Sequence, residues 1–192
     1  MLLEPERVLA LSQPEENSKC PDPSLVAKTG QALKLIKSKS AADRQMGLSL
    51  YQEAAEAGYT PAQYNLGSLY MGSLVGRDPE KALHWFTLAA DAGDFDAMFN
   101  IAYIYDRGFL GEQDIDQARL WYARAAQAGS GRAQYDLAAI YQHGRGVAVD
   151  LEKALYWYDR ARESGVARAL PNYEEIKALL QTRQDGPPAS ED

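Results

Sequence analysis

Between residues 43 and 170, apolar side chains return at steps of three and four, the spacing that gathers them on one face of an α-helix. Glycine and aspartate interrupt the run at regular places, so the pattern predicts many helices of moderate length. In the first full unit, one helix is predicted from near Ala62 to Tyr70 and a second from Asp78 to Gly93. The unit then recurs. Gly58, Gly93, Gly129 and Gly165 lie 35, 36 and 36 residues apart, and the same register aligns Ala62, Ala97, Ala133 and Ala169. Tyr70, Tyr105 and Tyr141 also coincide, as do Asp78, Asp114 and Asp150, and Trp85, Trp121 and Trp157. A period of this length marks stacked helix pairs, each burying its apolar face only against its neighbours.

The repeated positions have physical roles. Asp78, Asp114 and Asp150 stand where the second helix of each pair begins, where a carboxylate accepts unpaired backbone N–H groups and favours the helix dipole. Pro79 follows at the position a helix tolerates best. Gly93, Gly129 and Gly165 follow the second helix, where a left-handed cap is needed. Ala82, Ala118 and Ala154, with the pairs Ala89-Ala90 and Ala125-Ala126, form a small-residue stripe that admits a neighbouring helix, and Tyr70, Tyr105 and Tyr141 fill the remaining space. Trp85, Trp121 and Trp157, each followed by Phe86, Tyr122 or Tyr158, read as a packed aromatic ladder.

An array of this kind needs modified ends. Residues 43–58 follow the pattern of a second helix, and residues 24–38 place Leu25, Thr29, Ala32, Leu33 and Ile36 on one face. Residues 167–182 begin as a further first helix at Ala169 and keep Ile176 in register, while Pro171, Glu174 and Glu175 mark a solvent-facing side. The predicted order is a flexible tail over 1–22 and a divergent N-terminal helix pair over 23–58. Repeats follow over 59–93, 94–129 and 130–165, then a capping helix over 166–183 and a disordered tail over 184–192. Leu2, Leu3, Val8, Leu9 and Leu11 are a candidate apolar docking segment within the first tail.

The third repeat carries the phrase most completely: Ala133, Leu137-Ala138, Tyr141, Gly144-Arg145-Gly146-Val147, Asp150, Lys153-Ala154, Trp157-Tyr158, Ala161 and Gly165. These residues resemble the Sel-1-like repeat, a relative of the tetratricopeptide repeat. Repeat one is shorter by a residue in its inner loop, Gly72 to Gly76, and repeat two has Gln117-Ala118 for Lys-Ala. The resemblance implies an all-α, right-handed α-solenoid of stacked antiparallel helix pairs, and the helices read at the two ends bring the expected count to about nine. Members of the family are implied to be scaffolds, adaptors, regulators and binders of secreted effectors. Some Cys-rich relatives are linked to penicillin binding and β-lactam hydrolysis.

Composition narrows the chemistry. A net charge of −7 repels nucleic-acid phosphates and anionic lipids, and no run of Lys and Arg offsets it. Nucleic acid is therefore not an expected partner. Cys20 is the only thiol, which excludes an internal disulfide or a Cys-based zinc cluster and suits a reducing compartment. Glu4-Pro5-Glu6 breaks any secretory signal, and no stretch approaches the length of a membrane span, so a cytoplasmic location without membrane insertion is expected. His84 and His143 lie in non-equivalent segments without carboxylates at metal-ligand spacing. Gly144-Arg145-Gly146 follows a helix and reads as a turn, and Asp94 and Asp96 read as a helix start. No Ser is followed three positions later by Lys, so the nucleophile motif of serine β-lactamases is missing. Neither metal, cofactor nor catalysis is expected.

The resemblance puts the first helices of the pairs on the concave side. Their non-core positions are the partner-binding candidates: Tyr64, Ser68 and Met71; then Asp96, Phe99, Tyr103, Asp106 and Arg107; then Arg132, Tyr135, Gln142 and His143. Tyr64, Phe99 and Tyr135 are equivalent, which leaves packing and binding both open for them. Tyr103 departs from Ser68 and Ala139 at its own position, and with Arg107 it is the best single anchor. The expected function is a monomeric, non-catalytic module that binds a protein or peptide. An inhibitor or immunity protein blocking a toxic enzyme is the alternative, and a β-lactamase-like hydrolase the third.

Overall fold

Short polar side chains start most of the helices, and they do so where the repeat register places them. Asp78, Asp114 and Asp150 accept from the backbone N–H of Lys81, Gln117 and Lys153 at 3.0, 2.9 and 2.9 Å. Asp94 caps the next helix in the same way through Ala97, at 2.8 Å, and Asp22 opens the first through Ser24. Each such cap stabilises its helix by about 1 kcal/mol. The computed structural model describes residues 22–185, and among these residues nine helices and no strand form. An N-terminal pair comprises α1 (Pro23–Ile36) and α2 (Ala41–Glu56). Three further pairs follow: α3 (Thr60–Met71) with α4 (Pro79–Asp91), α5 (Phe95–Arg107) with α6 (Ile115–Gln127), and α7 (Gly131–His143) with α8 (Leu151–Glu163). A final helix, α9 (Ala169–Asp185), closes the stack.

Main-chain bonds tie each pair together. The N–H groups of Asp78, Asp114 and Asp150 donate to the carbonyls of Tyr70, Tyr105 and Tyr141 at 2.8, 3.1 and 3.0 Å, closing the loop inside each repeat. Between repeats, the buried amides of Gln63 and Gln134 donate to the carbonyls of Ala55 and Ala126, in the last turn of the preceding helix. Gly93, Gly129 and Gly165 hold φ of 91°, 101° and 82°, the left-handed region that lets the chain reverse after each second helix. The helices pack chiefly on those that precede and follow them, and the result is the expected all-α solenoid.

The core departs from the expected ladder in one respect. Phe86, Tyr122 and Tyr158 are fully buried, as is Tyr51 in the N-terminal pair, while Trp85, Trp121 and Trp157 are only half-buried. Ala82, Phe86 and Ala89 form the stripe that faces the partner helix, and Trp85 stands beside it. Two of the Trp side chains lie at the seams instead, and Trp85 packs on the first cluster alone. Trp121 packs against the first and second core clusters, and Trp157 against the second and third. At the N-terminal end Ala32 and Ile36 are buried as expected, but Leu33 is 47% exposed. Nothing in the described chain packs outside α1, so a residue next to its buried stripe stays in solvent. At the other end Ala169 and Ile176 are buried, with Pro171, Glu174 and Glu175 exposed. Of the two predicted tails, Asp22 caps α1 and residues 184 and 185 extend α9. The rest, including the candidate docking segment and Cys20, lies outside the described residues. No helix among the described residues is long and apolar enough to cross a membrane.

Candidate functional site

The first helices of the pairs, α3, α5 and α7, present one continuous face, and two cavities open on it. The larger, about 350 Å³, lies between α5 and α7. Four guanidinium groups converge there from four places in the chain: Arg107 ends α5, Arg132 lies in the first turn of α7, Arg145 follows α7, and Arg168 precedes α9. Asp106 and Asp136 face them, and Phe99, Tyr103, Tyr122 and Ala139 form the walls. The smaller cavity, about 240 Å³, lies between α3 and α5 and is lined by Tyr64, Ser68, Met71, Phe86, Asn100 and Tyr103. Tyr103 is a wall of both.

Repeat geometry explains how the arginines are held. Arg132 and Arg168 occupy the same position in successive units, and each reaches back over the aromatic of the unit before. The Arg132 guanidinium lies 4.3 Å from the Phe99 ring centre, and that of Arg168 lies 4.0 Å from Tyr135. Planar cations stack well on such rings. Arg132 also donates to Asp96 at 2.8 Å, and Arg168 pairs with Asp136 at 3.5 Å. Arg145 pairs with Asp106, whose other oxygen accepts from the Tyr122 hydroxyl at 3.3 Å. Arg107 stands over Tyr103, 5.4 Å from its ring centre, and pairs with no carboxylate among the described residues. Tyr103 is braced in turn by Phe109, with the rings 5.7 Å apart and edge to face.

Electrostatics in the cavity follow from its depth. Burial raises Asp136 to about 6. Arg168, Arg132 and Arg145 pull the other way, and neighbouring Asp106 adds to the rise. Burial also pushes the Tyr122 hydroxyl far above the ordinary phenol range, with Asp136 and Asp106 reinforcing the effect. Tyr122 therefore stays protonated and donates to Asp106.

The predicted binding residues divide into three groups. Phe99, Tyr103, Asp106, Arg107 and Arg132 meet in the larger cavity, although Phe99 is 8% exposed and its ring packs 5.6 Å from that of Tyr122. Tyr64, Ser68 and Met71 meet in the smaller one with Tyr103. Asp96, Tyr135, Gln142 and His143 line neither cavity. Tyr135 packs edge to face on Tyr158, Gln142 accepts from the Tyr158 hydroxyl at 2.7 Å, and His143 is an exposed residue at the end of α7. The sequence reading missed Asp136, Arg145, Arg168 and Tyr122. Arg168 had a signal, its register with Arg132. Arg145 was absorbed into the glycine turn, and Tyr122 into the aromatic ladder.

The positions that build this scaffold are those of a known repeat: the Sel1 repeat matches residues 38–59, 60–94, 95–130 and 131–166, well over half of the chain. The chain belongs to the Sel1 repeat family. Its first match falls mainly on α2, the second helix of the N-terminal pair. Sel1 repeat proteins in general mediate protein–protein interaction and are mostly non-catalytic adaptors and scaffolds. A Sel1 repeat protein from Oxalobacter formigenes is similar in structure, with 32% identity and a TM-score of 0.70 over 79% of this chain and 63% of that one. DAP3-binding cell death enhancer 1 of Rattus norvegicus is 40% identical over 76 residues, 40% of this chain and 14% of that protein. An ERAD-associated E3 ubiquitin-protein ligase component of Arabidopsis thaliana, HRD3A, is also 40% identical over 76 residues, 11% of its own length. The chain thus spans a small part of those two proteins. In this Sel1 repeat protein the recurring Asp, Ala and Gly positions are consumed by caps and packing, whereas the cavity arginines stand on the surface of the stack.

Proposed function

We propose that this Sel1 repeat protein is a non-catalytic interaction module that holds a partner protein or peptide against the face formed by α3, α5 and α7. One observation carries the reading. Tyr103 replaces the smaller Ser68 and Ala139 of the neighbouring units, and its ring walls both cavities. Scaffold geometry has no need of a large aromatic there. A rigid ring with an arginine over it, between two hollows, is the composition of an interface anchor. The two curated relatives fit the same role by name, one as a binder of another protein and the other as a component of a ligase.

Affinity capture from native lysate tests the reading when three forms are compared. Tyr103→Ala with Arg107→Ala is expected to lose the partners that the wild type retains, at unchanged helicity. Leu120→Ala with Tyr156→Ala, which alters exposed side chains of the second helices α6 and α8, is expected to retain them. Partners kept by the first variant and lost by the second would place the interface on the opposite face.

A further inference from the structure

The larger cavity has a composition unlike the rest of the chain. Across the whole sequence acidic residues outnumber basic ones, 27 to 20, yet here four arginines meet three carboxylates, Asp106 and Asp136 in the lining and Asp96 on Arg132. Arg132, Arg145 and Arg168 each pair with one of these carboxylates, whereas Arg107 pairs with none of them, and burial raises Asp136 to about 6. The cavity therefore has guanidinium donors to spare. Guanidinium groups bind carboxylate or phosphate oxygens through paired N–H donors, with a directionality that an ammonium lacks. Four of them in about 350 Å³ suit one compact oxyanion, not a polyanion tracked along a basic surface.

The neighbouring cavity supplies the second half of the argument. Tyr64, Met71 and Phe86 give it apolar walls, and Ser68 and Asn100 are its polar edge. Met71 holds the position that Asp106 and Gln142 hold in the next two units. Asp106 and Gln142 accept the hydroxyls of Tyr122 and Tyr158, whereas Met71 belongs to the unit in which that aromatic is Phe86, with no hydroxyl to satisfy. The surface of repeat one is thereby left apolar beside the charged surface of repeat two. Tyr103 stands between them.

Resting on the interaction reading above, we infer that the groove recognises an acidic polypeptide segment, one side-chain oxyanion seated among Arg107, Arg132, Arg145 and Arg168 and a nearby apolar side chain seated against Met71 and Tyr64. A free small anion would leave the second cavity unused. A purely apolar segment would leave the Arg107 charge unanswered. The two together specify an acidic residue and an apolar residue at a fixed spacing along one chain.

Selection from a displayed library of random peptides against the purified protein, followed by fluorescence anisotropy of the selected peptides, tests the inference. Selected peptides are expected to carry Asp or Glu at one position and Leu, Met or Phe at another. Changing the acid to its amide is expected to weaken binding about tenfold or more. Arg107→Gln and Arg168→Gln, both at exposed residues, are each expected to weaken it similarly, and Ser68→Arg to block the apolar half. Raising ionic strength from about 0.05 to 0.3 M is expected to weaken binding further. Phosphoserine in place of the acid, if it binds more tightly through the same arginines, supports the site with phosphate as the source of the oxyanion. Selection of neutral peptides that bind Arg107→Gln as well as wild type overturns the acidic segment while leaving the interaction face in place. The inference also falls, without the interaction reading, if no peptide is selected while Tyr103→Ala with Arg107→Ala still loses lysate partners. Single-stranded RNA binding abolished by the same arginine changes would overturn both readings.

Discussion

Asp136 illustrates how much one residue's surroundings decide. Its carboxyl sits on α7 with Arg168 beside it, Arg132 and Arg145 farther off, and Asp106 opposing them, and desolvation outweighs the cations enough to hold it at about 6. In the unfolded chain it ionises near 3.9. Between those two values the folded protein keeps a proton that the unfolded chain has lost, so this residue's contribution to stability falls as pH rises through the window. Above about pH 6 the deficit is constant, on the order of 1–3 kcal/mol. Asp136→Asn removes the ionisation. The variant is expected to be more stable than wild type by that amount at pH 7.5 and equal to it at pH 4, measured by urea unfolding; equal stability at both pH values would contradict the assignment. The same proton bears on binding. Neutral Asp136 leaves the four arginines less opposed, so an acidic peptide is expected to bind the wild type several-fold more tightly at pH 5.5 than at 7.5. In Asp136→Asn this pH dependence is expected to disappear.

Among the elements, the α3–α4 pair packs more closely than the alanines at the same place in later units allow. A Cβ added at Gly67 would lie 2.6 Å from ring carbons of Phe86 and 2.8 Å from its Cγ, and the ring is only 1% exposed. Gly67→Ala gains about 1 kcal/mol of helix propensity but meets an overpacking cost of about 1–3 kcal/mol. The expected net effect is destabilisation of about 1 kcal/mol by thermal unfolding, relieved when Phe86→Leu is added. Had helix propensity governed, the single variant would melt higher. Elements like these were legible because their causes are local: Asp78, Asp114 and Asp150 cap through residues three positions away, and Gly93, Gly129 and Gly165 turn the chain through their own φ. Tyr103 and Arg107 were legible as departures from the repeat. The cavity as a whole was not, because its arginines come from two helices and two turns and the partner of Arg145, Asp106, stands 39 residues earlier. Which of two adjacent aromatics is buried was equally hidden, since Trp85 and Phe86 differ by one step around the helix and only the position of α3 decides between them.

For the molecule as a whole, a stack whose units touch chiefly their neighbours has a stability close to a sum of units and interfaces. Its end helices then matter in proportion to what they cover. Helix α9 covers the third core cluster: Ala169 and Ile176 bury themselves against Tyr158 and Ala161, and Asn172 donates to the Tyr158 hydroxyl at 3.3 Å. The turn before it carries Arg168, so the helix that closes the stack also helps complete the cavity between α5 and α7. Ending the chain after Gly165 uncovers Tyr158 and removes Ile176. At about 1.5–3 kcal/mol for each large side chain returned to water, the loss is on the order of 3–6 kcal/mol. Its effect should be graded along the stack. Hydrogen exchange is expected to quicken most in α8, less in α6 and α7, and least in α3 and α4, which pack chiefly on α2 and α5 and on each other. Uniform acceleration across all helices would show instead that the array unfolds as one unit. Acidic-peptide affinity is expected to fall in the truncated chain by about the factor seen for Arg168→Gln. A larger fall would mean that α9 positions the other three arginines as well.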